Sequence, residues 1–124
     1  MKKRVMIVDD DPSILITIRE IFEPEGFEVY AVSSGEDCLE ELKKGFKGVI
    51  LMDIMMPHMD GWETIKEIVK NGYHDDVVIS MLTAKNLPDE EIDELKDYIQ
   101  DYFTKPFEGK KLVSAVDSYF TKCF

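Results

Sequence analysis

Apolar residues fall into two rhythms along this chain. The runs "VMIV", "FEVYAV", "GVILMD", "VVISML" and "DYFT" are short, and four of them lack clean polar alternation, as expected for strands covered on both faces. "FEVYAV" alternates more and reads as the strand nearest an edge. Between the runs, apolar positions recur three and four residues apart, the spacing of one helical face.

Ile14, Leu15, Ile18, Ile21 and Phe22 make the first such face, which stops before Pro24 and Gly26. A second helix opens after Ser34, with Asp37 placed for a capping box, buries Cys38, Leu39 and Leu42, and closes at Gly45. A third follows Asp60, with Glu63 three residues on, presents Trp62, Ile65, Ile68 and Val69, and ends at Asn71 and Gly72. A fourth is expected from Pro88, with Ile92, Leu95 and Ile99 on one side and an acidic face ("EEIDELKD") toward solvent. The fifth carries Leu112, Val113, Val116 and Phe120.

Five strand–helix pairs account for residues 1–124, so one α/β domain, (βα)5 with a parallel sheet, is expected. Right-handed crossovers place ligands beyond the carboxyl ends of such strands. The loops after the strands therefore hold the candidate chemistry.

Asp9 and Asp10 follow the first run, Asp53 ends the third, Thr83 follows the fourth, and Lys105 with Pro106 follows the fifth. Three carboxylates, a hydroxyl and an amine are thus expected at one edge. Like charges about 4 Å apart repel by roughly 4 kcal/mol at an effective dielectric of 20, and a divalent cation would remove that repulsion. Hard oxygen donors suit Mg2+, with Mn2+ or Ca2+ as substitutes, and the main-chain carbonyl of Met55 could join Asp9, Asp10 and Asp53 as a ligand. An aspartate beside a cation, a lysine and a hydroxyl is equipped to attack phosphorus. Asp53 is the expected phosphoacceptor, Lys105 and Thr83 its partners, while Asp11, ahead of Pro12, reads as a helix cap.

With 15 basic and 26 acidic residues the net charge is -11, which argues against direct nucleic-acid binding. The apolar runs are far shorter than the roughly 20 residues that cross a bilayer, so a cytoplasmic location without membrane contact is expected. Cys38 and Cys123 have no metal-type spacing, and His58 and His74 read as ordinary loop histidines.

The motifs "VMIVDDDP", "VILMDIMMPHMDG", "SMLTA" and "YFTKPF", in that order, resemble the receiver domains of two-component response regulators over essentially the whole chain. The resemblance implies a flavodoxin-like three-layer sandwich with strand order 2-1-3-4-5. It implies Asp53 as phosphoacceptor, Asp9 and Asp10 around Mg2+, Thr83 and Lys105 on the phosphoryl group, Tyr102 as a rotating switch aromatic, and a cis bond before Pro106. Implied partners are a sensor histidine kinase or histidine phosphotransfer domain, and a downstream effector protein or output domain. A phosphorylation-dependent homodimer through the fourth helix, fifth strand and fifth helix is also implied.

Two departures from the family pattern matter. Tyr98 and Ile99 stand where many receivers have a Gly-Ala pair, which bears on that dimer surface. Met55 and Lys85, at positions that influence phosphoryl lifetime in the family, offer no carboxamide or carboxylate, so slow self-dephosphorylation is expected. Two rivals fit less well. A haloacid-dehalogenase-type phosphohydrolase would place an acid where Met55 stands, and a nucleotide or flavin carrier would need a glycine-rich loop after the first strand.

Overall fold

The computed structural model describes residues 2–84 and 94–124. Its strands are β1 (Arg4–Val8), β2 (Glu28–Val32), β3 (Gly48–Asp53), β4 (Val77–Thr83) and β5 (Ile99–Thr104). All four pairings are parallel, in the order β2-β1-β3-β4-β5. The sandwich and the strand order implied by the motifs are therefore present, and the alternating "FEVYAV" run does lie at an edge.

Successive residues of a strand point to opposite faces, and β1 shows the result. Met6 and Val8 join the core beneath helices α2 (Gly35–Lys43) and α3 (Gly61–Lys70). Val5 and Ile7 join the core beneath α1 (Pro12–Phe22) and the C-terminal helix (Gly109–Lys122). Every residue of β3 is buried, which places its last residue, Asp53, near the middle of the sheet.

Local chemistry sets the helix ends. Asp11 caps α1 by accepting from the Ser13 N–H at 2.9 Å, and Pro12 occupies the first turn. Asp60 and Glu63 form a complete capping box on α3. Ser34 accepts from the Asp37 N–H as expected, at 3.0 Å. Gly45, at φ 103°, ends α2 with its N–H on Leu42 O while the Phe46 N–H reaches Glu41 O, a Schellman arrangement.

The first half of the expected fourth helix, residues 88–93, lies outside the described residues. Its expected end is corrected by the segment after it. Glu94 and Leu95 are helical, Lys96–Tyr98 form a 3-10 turn, and Ile99 begins β5 rather than closing a helix. The apolar pair at i and i+4 is nonetheless real, because Leu95 and Ile99 both pack on the α2–α3 core, the second reaching it from the strand.

Candidate functional site

The three adjacent aspartates take three different environments. The Asp9 N–H reaches Val32 O at 3.2 Å, extending the β1–β2 ladder one step, and its side chain is only 1% exposed. One Asp9 oxygen accepts from the Asp11 N–H at 2.9 Å, and the other accepts from Lys105 Nζ at 2.9 Å. Asp10 is exposed, and Asp11 turns to its capping role.

Asp53 enters from the adjacent strand and is buried. Its Oδ1 accepts from the same Lys105 ammonium at 3.1 Å. The backbone beyond it is held by the Ile54 N–H on Leu82 O and the Gly61 N–H on Ile54 O, at 3.3 and 2.8 Å. Gly61 has to be glycine for this, since a Cβ there would lie 2.4 Å from the Asp53 carbonyl oxygen. Between them the chain makes a tight three-residue turn, in which the Met59 N–H bonds Pro57 O and His58 sits at φ 69°. His58 is in a loop as expected, but in a conformation that non-glycine residues seldom adopt.

Thr83 ends β4 and is buried, and its carbonyl accepts the Lys105 N–H at 2.7 Å. The Lys105–Pro106 bond is cis, as the motif resemblance implies. Met55 lies two residues past Asp53 and is 76% exposed. Tyr102, on β5, is 37% exposed.

Carboxylate oxygens of Asp9, Asp10 and Asp53 all lie within 4.8 Å of one another. Against these three negative charges Lys105 brings one positive charge. Burial pushes the Asp53 carboxyl above its ordinary range, the Asp9 charge adds to the rise, and the Lys105 ammonium only partly offsets them. Burial of Lys105 disfavours its charge, yet the bonds and charges of Asp9 and Asp53 hold its ammonium above the usual range. Such a cluster of hard oxygens with excess negative charge fits a divalent cation. Each oxygen of Asp9 already accepts one hydrogen bond, whereas Asp10 is exposed and, among the described residues, only Oδ1 of Asp53 is engaged, so Asp10 and Asp53 keep more lone pairs open to a cation.

Two features escaped the sequence. The double use of Lys105 spans 96 and 52 residues, and no local pattern encodes it. A second network links Ser80, Asp101 and Tyr119 between β4, β5 and the C-terminal helix, again without a motif to announce it. Cys38 is confirmed as a buried helix residue, with burial pushing its thiol up to about 12. Among the described residues no helix is long and apolar enough to cross a membrane.

A family model described as response regulator receiver domain matches residues 5–117. The chain is similar to a CheY-like response regulator receiver domain protein from Methanospirillum hungatei JF-1, with a TM-score of 0.91 and 44% identity over 98% of this chain and 97% of that one. It is also similar to the chemotaxis protein CheY4 of Vibrio cholerae, with a TM-score of 0.84 and 27% identity over 95% and 98% of the two chains. A curated relative named "Probable transcriptional regulator ycf27", from Pyropia yezoensis, is 33% identical over 94% of this chain but only 47% of its own length. The chain thus spans about half the length of the curated relatives it matches.

Proposed function

Since the chain belongs to the response regulator receiver domain family, we propose that Asp53 is its phosphoacceptor in a two-component phosphorelay. The observation that carries this reading is the shared ammonium of Lys105, 3.1 Å from Asp53 and 2.9 Å from Asp9, inside a cluster of three carboxylates. Asp53 attacks the phosphorus of a phosphohistidine on a sensor histidine kinase or histidine phosphotransfer domain. The phosphorus–nitrogen bond breaks, and its electron pair leaves with the imidazole.

Asp9, Asp10, Asp53 and the main-chain carbonyl of Met55 would hold Mg2+, or Mn2+ or Ca2+ in its place, which supplies positive charge to offset the carboxylates and the incoming phosphoryl oxygens. Lys105 positions Asp53 beforehand and then faces the phosphoryl oxygens. Thr83, at the end of the adjacent strand, donates its hydroxyl to the same group. Asp9 also orients Lys105.

The new charge on Asp53 draws Thr83 toward it and favours an inward Tyr102, which changes the surface formed with β5 and the C-terminal helix. That surface would meet a downstream effector protein or output domain, or a second copy of the chain in a phosphorylation-dependent homodimer that also uses the fourth helix. We place the domain in the cytoplasm, without direct nucleic-acid contact. Met55 offers no group to orient an attacking water, so dephosphorylation is slow.

Labelling with acetyl phosphate and Mg2+, read by intact mass and peptide mapping, tests the assignment. The expected result is one phosphoryl group on Asp53, lost in Asp53→Ala and lost on chelation. Undiminished labelling of Asp53→Ala would overturn it. Sustained turnover of p-nitrophenyl phosphate would instead favour a phosphohydrolase, a reading that the absence of an acid at Met55 disfavours.

A further inference from the structure

The Ser80, Asp101 and Tyr119 network lies outside the carboxylate cluster, on the opposite side of β4 and β5 from α3. Ser80 is fully buried and Tyr119 only 3% exposed. The Tyr119 hydroxyl donates to the Asp101 carboxylate, so the Ser80 hydroxyl, 2.9 Å away, donates to Tyr119. Burial first, and then donation to Asp101, holds the Tyr119 phenol far above its ordinary range. It remains a neutral donor at any physiological pH.

This network sits on an irregularity in the sheet. Ile79 pairs with Ile99, but Ser80 pairs with Asp101, which leaves Gln100 without an opposite residue on β4. Such bulges are rare between parallel strands. Here the bulge has a clear geometric result. Ile99 packs on the α2–α3 core, whereas Phe103, four residues later, packs on the opposite core. In a regular strand an even separation keeps both on one face. The extra residue therefore reverses the faces of everything after it, including Tyr102, which pairs with Met81 on the α2–α3 side.

We propose that Tyr119 is a positioning residue: held between Ser80 and Asp101, its hydroxyl pins the bulge at Gln100 and so fixes the faces taken by Tyr102, Phe103 and Lys105. The bland alternative is a buried tyrosine that merely satisfies its hydroxyl. The pinned residue is the one directly after the bulge, and the strand it pins runs on to Lys105, which contacts Asp53. The structural part stands alone, while its consequence for phosphorylation rests on the function proposed above.

Amide hydrogen exchange on the metal-free, unphosphorylated full chain tests the structural part. In Tyr119→Phe, amides of residues 101–104 should exchange about tenfold faster, with those of β3 nearly unchanged. Asp101→Asn keeps an acceptor and should resemble wild type, whereas Asp101→Ala should reproduce Tyr119→Phe. Equal acceleration in β3 and β5, or no acceleration, would overturn the proposal, and the Asp101 pair decides it if Tyr119→Phe does not fold. In the functional arm, the initial rate of Asp53 labelling from acetyl phosphate at saturating Mg2+ should fall about fivefold in Tyr119→Phe, with calorimetric Mg2+ affinity unchanged. Unchanged labelling in a variant whose β5 exchange has risen would refute the link to Lys105. Unlabelled wild type would refute the phosphoacceptor reading and leave the exchange result standing.

Discussion

Lys105 Nζ lies 3.1 Å from Asp53 Oδ1 while also 2.9 Å from Asp9 Oδ2, so one ammonium serves two buried carboxylates. That ratio leaves Asp53 under-compensated. Its carboxyl is held above the ordinary 3.8 by burial and by Asp9, despite Lys105.

The sign of the resulting pH dependence is set by linkage. A carboxyl with a raised folded value favours the fold most fully below its unfolded value of 3.8, and that benefit is lost as pH rises through the folded value. In chelator-treated protein Asp53→Asn should therefore raise the melting midpoint at neutral pH, with the gain vanishing toward pH 3.8. Each 1 kcal/mol relieved is worth about 4 °C in a domain of this size. Scanning calorimetry across pH checks this, and a lower midpoint for Asp53→Asn at pH 7 would count against it.

Mg2+ should relieve the same repulsion in the wild-type chain. At about 100 times its dissociation constant a ligand specific for the folded state adds roughly 2.7 kcal/mol. The midpoint should rise with Mg2+ and fall back on chelation, and Asp10→Asn should abolish the rise.

Asp11 should behave differently from its neighbour. Asparagine caps a helix as well as aspartate does, so Asp11→Asn should leave stability and Asp53 labelling nearly intact, while Asp11→Ala should cost about 1 kcal/mol. Urea titration separates the two variants. Equal losses of labelling from Asp10→Asn and Asp11→Asn would show that the roles are not divided this way.

Gly61→Ala would put a methyl 2.4 Å from the Asp53 carbonyl oxygen, and the obstruction is backbone, which cannot rotate away. Overpacking of this kind costs about 1–3 kcal/mol, and it should slow labelling by displacing Asp53. Gly109→Ala is the matched control, since its nearest neighbour is the Ile21 side chain at 3.4 Å. Denaturant midpoints should drop for the first and hold or rise for the second.

His58 at φ 69° carries strain of about 1 kcal/mol that asparagine tolerates better. His58→Asn should be slightly stabilising, and His58→Val, branched at Cβ, destabilising. Both can be read from thermal melts.

Much of the architecture was written locally. Asp11 before Pro12, the Asp60–Glu63 box, and Gly45 and Gly72 as helix stops depend on residues within one turn of each other, where backbone donors need near partners. The site was legible for a related reason: parallel strands joined by right-handed crossovers bring their carboxyl ends together, so Asp9, Asp53, Thr83 and Lys105 could be placed at one edge from strand ends alone. The end of the fourth helix was misjudged because an i, i+4 apolar pair such as Leu95 and Ile99 satisfies one core equally well from a helix or from a strand entering it.

By itself the sequence determined the order of elements, the caps, and which carboxylates would meet, because those rest on periodicity and on contacts within a few residues. Only the tertiary structure decided how Asp9 and Asp10 divide. Asp9 turns inward to Lys105 and Asp10 stays exposed, a choice made by a lysine 96 residues away. The face of Tyr102 was decided in the same way, by an unpaired Gln100 next to a carboxylate held from the C-terminal helix. Contacts across such separations depend on packing the whole sheet at once, and no short stretch of the chain contains that information.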